Sequence, residues 1–362
     1  MGTNIFVSKP SKIRLAVSTV CQLSCPLCPT GRKEEMPIGR GFLKFSDFKK
    51  LIDGSPFVTA IELSNYGEIF LNPELGEIIK YAYLKGVELT AVNGSNLNTI
   101  TEEMCELLVK YKFKNIVCSI DGASQEVYKI YRKGGDFNKV IDNINMINKY
   151  KRMYNSLLPF LKWQFVIFGH NVHEMEKAKN IARSLNMSFE PKGSWDPFFS
   201  PVQDKKAVKK AIGLDGLFFN YNLHKYFLCT LLWDFPQINW DGKLLGCCVN
   251  YWGDYGNVFH LGLEKAFNDE KIAYAREMLL GRAEGRKGIP CNSCYIYKEI
   301  KDRASFLTPL EMKVKNFLER HFKFHLVLFL LSCLGKFLSF FFSITFVFKN
   351  ITNPIKKGHK KR

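Results

Sequence analysis

The sequence shows no internal repeat and no apolar run near its start: MGTNIFVSKPSKIR lacks the h-region of a secretory signal, so export is not expected. Position 6 is Phe, where a myristoylation signal needs Ser or Thr. Cysteine is too sparse for a disulfide scaffold, 11 in 362 residues. The thiols are therefore expected in a reducing cytoplasm, where clustered Cys serve as metal ligands or catalysts. Acids are outnumbered, 34 Asp plus Glu against 52 Lys plus Arg, for a net charge of +18. Of that excess, +10 lies between Lys313 and Arg362, which holds 11 bases and one acid, Glu319. No stretch interleaves basic and aromatic residues as a base-stacking platform does, so no nucleic-acid partner is expected. What remains is ordinary globular material, 46% hydrophobic and 24% charged, with length enough for two domains.

From Ile13 to about Ser188, β-rich runs alternate with helical patterns, as in βαβ units around a parallel sheet. The expected strands are residues 13–20, 60–67, 87–94, 115–121, 161–168 and 187–191. Between them SDFKKLIDG, PELGEIIKYAYLKG, TEEMCELLVKYK, FNKVIDNINMINKYKRM and VHEMEKAKNIARSLN carry apolar residues at three-to-four spacing and read as crossover helices. Residues 196–225, with PFFSP and DKKAVKKA, read as a linker. Beyond it PQINW and KLLGCCV flank Asp241-Gly242, a hairpin signal, and LEKAFNDEKIAYAREMLLG is expected to form a helix.

The first strand runs into Cys21-Gln-Leu-Ser-Cys25-Pro-Leu-Cys28. Three thiolates hold three irons of a cubane and leave the fourth open to a small molecule bearing an amine and a carboxylate. The bland alternative is a zinc site one ligand short, although zinc motifs favour paired CxxC. This CxxxCxxC, followed in order by NYGE (Asn65 to Glu68), VNGSNL (Val92 to Leu97) and SIDGAS with YRKGGDF (Ser119 to Ser124, Tyr131 to Phe137), resembles the radical S-adenosylmethionine (SAM) superfamily. Leu27 and Ile69 stand where many members carry an aromatic and a Pro; neither change removes a ligand.

The resemblance implies a partial (β/α)6 TIM-like barrel of parallel strands over residues 1–195, a 4Fe-4S cluster on Cys21, Cys25 and Cys28, and SAM bound to it. It further implies that Gly67 permits close backbone approach and that Glu68 takes the SAM ammonium. Asn93 would lie in the third-strand turn, Ser119 would contact the ribose, and Arg132 would pair with the carboxylate. Asp121, Arg132, His170 and Glu174 are unranked candidates for a proton acceptor, and no catalytic residue is singled out.

Cys229, Cys247, Cys291 and Cys294 form a second set, within residues 226–305. On ligand count they suit one closed cluster or a zinc ion. They resemble the SPASM/twitch extension of a branch of radical SAM enzymes, which implies one auxiliary 4Fe-4S cluster acting in electron transfer. Cys248 is left without a role, and Cys105 and Cys118 are expected to be buried thiols.

Residues 306–362 form a basic, Phe-rich tail in which Phe324 to Phe348 are apolar nearly throughout, long enough for a bilayer core of about 30 Å. Lys336 at its middle costs about 2.5 to 3.5 kcal/mol on insertion scales, and a single span would place IKKGHKKR outside, against the positive-inside tendency. A monotopic or re-entrant attachment to an anionic cytoplasmic membrane face is therefore expected.

The function expected is a radical SAM oxidoreductase. It removes a hydrogen atom from a small-molecule or lipid-linked carbohydrate-like substrate, with a flavodoxin- or ferredoxin-like protein as reductant. The alternatives are a peptide- or protein-modifying maturase and, outside catalysis, a zinc-stapled membrane-bound interaction protein.

Overall fold

The computed structural model describes residues 9–203, 208, 212 and 229–306. Most of the expected linker and the apolar tail lie outside these residues. Among the described residues no helix is long and apolar enough to cross a membrane.

One seven-stranded sheet organises the chain: β1 (Lys12–Leu15), β2 (Ala60–Glu62), β3 (Glu88–Ser95), β4 (Asn115–Ser119), β5 (Phe160–Ile167), β6 (Ser188–Gly193) and β7 (Gln237–Ile238). Its order is β6-β5-β4-β3-β2-β1-β7, and every neighbouring pair is parallel. The connecting helices are α1 (Phe45–Asp53), α2 (Leu75–Leu84), α3 (Glu102–Lys110), α4 (Gln125–Tyr131), α5 (Phe137–Met153) and α6 (Met175–Ser184). This is the α/β architecture of a partial TIM-like barrel. Side-chain oxygens of Thr101, Ser124 and Asp136 accept from Met104, Val127 and Lys139 amides and so start α3, α4 and α5. Along α5, Val140, Ile144 and Ile147 recur on one face and are fully buried.

Strand alternation gives the sheet two unlike faces. Ile13, Ile61 and Leu89 are register partners and pack in the main core with the helices. One residue on, Arg14, Glu62 and Thr90 are register partners on the opposite, inner face. The inner face of β5 and β6 carries Lys162, Gln164, Glu190 and Lys192. There the two lysines reach Glu190 at 2.6 and 3.3 Å, and Lys192 Nζ donates to Gln164 Oε1 at 2.7 Å.

Three expectations are corrected. KLLGCCV is not a full strand: across the turn that Gly242 (φ 85°) closes, Leu244 makes an isolated antiparallel bridge to Ile238 and Leu245 N donates to Gln237 O at 2.8 Å, while Lys243 bridges to Asn257. In addition β7 pairs parallel with β1, so the C-terminal region extends the barrel sheet. The helix expected from LEKAFNDEKIAYAREMLLG breaks into Leu263–Phe267 and α7 (Glu270–Leu279), because Asp269 caps the second piece by accepting from Lys271 N. The short α4 has no counterpart among the expected helices. A further helix, α8 (Tyr295–Asp302), follows the last thiol pair.

The C-terminal region is anchored to the loop beyond the first thiols. Asn239 Nδ2 and Trp240 Nε1 both donate to the Ile38 carbonyl, at 2.8 and 3.2 Å. A Cβ at Gly41 would lie 2.6 Å from the Trp240 ring, so only glycine admits that contact.

Trp163 on β5 is fully buried and its Nε1 donates to the Ile120 carbonyl at 2.7 Å. Replacing it by Ala is expected to cost about 3 to 5 kcal/mol, read as a lowered denaturant midpoint. An unchanged midpoint would contradict this packing.

Candidate active site

Cys21, Cys25 and Cys28 occupy the loop after β1, at the end of the sheet where parallel barrels keep their ligands. The loop is folded tightly: Ser24 N donates to Lys133 O at 2.9 Å and Cys28 N to Cys25 O at 3.2 Å. A Cβ at Gly31 would stand 2.7 Å from Cys25 N. Cys25 is buried among Leu23, Leu27, Tyr131 and Phe168. Burial pushes the Cys21 thiol up to about 12, with the Glu68 carboxylate and the Cys25 and Cys28 thiols adding to it. Burial also raises Cys25, against the opposing pull of Arg132. Metal binding at this loop must therefore release protons.

Arg132 is the positive group at the loop. Its Nε is paired with the fully buried Asp121 at 2.6 Å, and its NH1 lies 3.8 Å from Cys25 Sγ. Burial raises the Asp121 carboxyl, with Arg132 opposing, and Val166 N also donates to it at 2.7 Å.

The SAM-contact candidates are gathered at the same strand ends with distinct local roles. A Cβ at Gly67 would lie 2.5 Å from Ser18 O, so the backbone after β2 lies directly on the chain leaving β1. Glu68 is buried; its carboxylate accepts from Ser95 Oγ and Asn96 N, both at 2.6 Å, and burial raises its pKa against those bonds. Gly94 (φ 117°) faces Ser119, and a Cβ there would collide with Ser119 Oγ. Asn93 is turned toward the inner sheet face: its Nδ2 donates to Ser64 O at 2.7 Å and its Oδ1 accepts from Arg14 NH1 at 3.1 Å.

Asn96 was not singled out from the sequence although it lies within VNGSNL. Its Nδ2 is 3.7 Å from Cys21 Sγ and its Oδ1 accepts from Gln22 Nε2 at 2.7 Å. Of the unranked proton acceptors, Asp121 is paired with Arg132 and Glu174 accepts from Ala123 N at 2.6 Å. His170 differs. Its ring stacks on Phe168 (5.3 Å, 13°), its Nδ1 is 2.8 Å from Ser200 Oγ, and its buried Nε2 has no hydrogen-bond partner. Burial lowers its pKa, so the neutral ring is favoured.

Cys229, Cys247, Cys291 and Cys294 line one cavity, walled otherwise mainly by apolar and aromatic side chains such as Leu232, Leu245, Trp252 and Tyr255. Burial and the neighbouring thiols raise Cys229 well above the usual range, while burial pushes Cys247 up to about 11 and Cys291 up to about 12. Tyr255 Oη lies 3.0 Å from Cys291 Sγ. Cys248 does not line the cavity; its carbonyl accepts from Tyr66 Oη at 2.8 Å. Cys105 and Cys118 are fully buried, as expected.

Among the described residues no group of three or more His, Cys, Asp or Glu could hold a single metal ion. A cluster makes a different demand, because its thiolates sit on different irons. Four thiols around one cavity fit that donor set. Three thiols in a loop with the unpartnered His170 Nε2 and the closely approaching Gly67 nearby fit a cluster that also carries an organic ligand.

A parallel partial barrel with a thiol loop at its strand ends defines a class of cofactor-dependent α/β domain. Residues 15–177 match the model of the Radical SAM superfamily. The family implies a 4Fe-4S cluster with SAM bound to it. Among solved structures, SuiB of Streptococcus suis bound to S-adenosylmethionine aligns with a TM-score of 0.57 at 15% identity, covering 80% of this chain and 72% of SuiB. The structure of anSMEcpe with bound AdoMet aligns at 0.55 and 15% identity, covering 80% of this chain and 84% of that one. At such identity the likeness is one of fold. No curated protein matches the chain.

Arg132→Ala is expected to leave the buried Asp121 carboxyl unpaired and to lower stability by about 3 to 5 kcal/mol in urea titrations at neutral pH. Asp121→Asn together with Arg132→Ala should recover part of that loss; a double variant no better than the single would refute the pairing. Gly67→Ala, through its clash with Ser18, is expected to weaken SAM binding at least tenfold by equilibrium dialysis.

Proposed function

We propose that the chain cleaves SAM reductively at the Cys21, Cys25 and Cys28 loop and uses the product to oxidise a polar, carbohydrate-like or lipid-linked substrate by two electrons. The observation that carries this is the thiol loop with Arg132 against Cys25, inside a stretch that matches the radical SAM model. Held by Cys21, Cys25 and Cys28, a reduced cluster with SAM would supply the radical chemistry needed to remove a hydrogen atom from an unactivated carbon. The protein's part is orientation. Asp121 engages Nε of Arg132 and leaves its terminal nitrogens for Cys25 and for the SAM carboxylate. Gly67 keeps the space beside Ser18 free of a side chain, and the aromatic group of Tyr131, Phe168 and Phe199 keeps water from that side of the loop. His170, neutral and with Nε2 unpartnered, is the best placed of the candidates to accept a proton.

A polar substrate is supported by the inner sheet face, where Arg14, Glu62, Lys162, Gln164, Glu190 and Lys192 replace the usual barrel filling of branched apolar residues. The C-terminal thiols would hold an auxiliary 4Fe-4S cluster, fully ligated and so suited to accept the substrate's second electron. The substrate's first electron would leave with the abstracted hydrogen atom, and a flavodoxin- or ferredoxin-like protein would supply the separate electron that cleaves SAM. Alternatively the substrate is a peptide: SuiB has been solved with precursor peptide SuiA and anSMEcpe with a Cp18Cys peptide. A zinc-stapled scaffold is the third reading, and metal content separates it from the other two.

The decisive experiment is anaerobic reconstitution, reduction with dithionite and assay of 5'-deoxyadenosine. The wild-type chain should carry about eight irons with matching sulfide and form 5'-deoxyadenosine, whereas Cys25→Ala should form none. Zinc without iron, or equal product from both proteins, would overturn the proposal.

We further propose that the protein attaches to the cytoplasmic membrane face through its basic, Phe-rich tail. The full chain should sediment with membranes after lysis, and a chain ending at Phe306 should remain in the supernatant. Full solubility of the intact chain without detergent would exclude that attachment.

A further inference from the structure

One residue touches both thiol regions. The Tyr66 carbonyl accepts from the Thr30 hydroxyl, two residues beyond Cys28. The Tyr66 hydroxyl donates to the Cys248 carbonyl at 2.8 Å, and Asn65 Nδ2 reaches the same oxygen at 3.5 Å. On the N-terminal side, the loop carrying Tyr66 cannot slide independently of the chain leaving β1. Gly67 is pressed against Ser18, and Glu68 N donates to Val20 O at 2.8 Å, one residue before Cys21.

On the C-terminal side, the turn carrying Cys247 and Cys248 is equally constrained. Buried Asn250 donates to Leu245 O at 2.7 Å and Gly253 O at 2.8 Å and accepts from Trp252 N and Gly253 N, both at 3.2 Å. Trp252 Nε1 donates to Pro290 O at 3.0 Å, beside Cys291, and Trp252 lines the thiol cavity. The Tyr251 ring meets Tyr66 edge-on at 6.3 Å and Trp252 at 5.4 Å. Tyr66 is thus the link in a continuous packed path from the Cys28 loop to the cavity wall. Drawing Cys247 and Cys291 onto a metal acts on the same turn whose carbonyl Tyr66 holds.

We propose that Tyr66 is a positioning residue through which metal in the C-terminal thiol cavity raises the affinity of the N-terminal site for SAM. This rests on those four thiols holding an iron–sulfur cluster, as proposed above. Coupling of this kind is reciprocal, so SAM must also tighten the binding of that metal by the same factor. One hydrogen bond of ordinary net strength sets its size at about 3- to 10-fold.

The test uses the full chain, reconstituted anaerobically and left unreduced so that SAM is bound but not consumed. SAM affinity is measured by equilibrium dialysis in the wild type, in Tyr66→Phe, in Cys291→Ser/Cys294→Ser, and in the triple variant, with metal counted in each. Emptying the C-terminal site should weaken SAM about 3- to 10-fold in the wild-type background and less than twofold beside Tyr66→Phe. Equal losses in both backgrounds, or none in either, would overturn the coupling while leaving the metal site standing. A reconstituted wild type with only four irons overturns the cluster reading and the coupling together. Should the serine variants fail to fold, equilibrium competition with a chelator for the metal of the wild type and Tyr66→Phe decides instead. SAM should raise the chelator concentration that removes half of the C-terminal metal about 3- to 10-fold in the first and less than twofold in the second; an equal shift in both, or none in either, overturns the proposal.

Discussion

The candidate site depends on the buried carboxylate of Glu68. From the end of β2 its amide reaches Val20 at the end of β1, and its side chain holds Ser95 and Asn96 at the end of β3. Three strand ends that parallel geometry merely brings near one another are thereby locked in relative position. Burial raises the pKa of Glu68 and the donors from Ser95 and Asn96 oppose that rise, so loss of either donor would further disfavour the carboxylate. Gly67 completes the constraint, because any side chain there would push the β2 loop away from Ser18.

The same economy governs the charges around the thiols. Arg132 is compensated by Asp121, and Asp121 is further fixed by Val166 N, so the guanidinium is aimed rather than floating. A buried pair of this kind contributes little net stability over an apolar substitute; its use here is orientation toward Cys25. The C-terminal cavity follows another rule. Burial among apolar and aromatic walls raises the pKa values of Cys229, Cys247 and Cys291, so any metal bound there would have to displace their protons. The polar row on the inner sheet face is the third element, and it leaves the barrel interior hydrophilic where closed barrels are filled with branched side chains.

Much of this was legible in the sequence. The six strands from Ile13 to Ser188 and five of their helices follow from hydrophobic periodicity, with ends displaced by a few residues, and the cysteine spacing marked both thiol sets. Less legible was whatever depended on residues distant in the chain. The turn at Asp241-Gly242 reads as a local signal and forms, but nothing local shows that the strand before it also pairs with β1, some 220 positions earlier. Asn96 lay inside a recognised motif, but nothing local distinguishes it from Asn93; only the fold turns one toward Cys21 and the other toward Arg14. Tyr66 carried no signal beyond its place in NYGE, since its partner is 182 residues away.

By itself the sequence determined the parallel α/β alternation, the two thiol sets and the basic apolar tail, because each is written in spacing or composition over a short window. Only the tertiary structure decided which polar groups satisfy one another: that Glu68 holds the β3 turn, that Asp121 orients Arg132, and that the two thiol regions meet through Tyr66. Hydrogen bonds and close approaches depend on distances of a few tenths of an ångström between residues far apart in the chain. Such distances exist only once the sheet has brought the strand ends together.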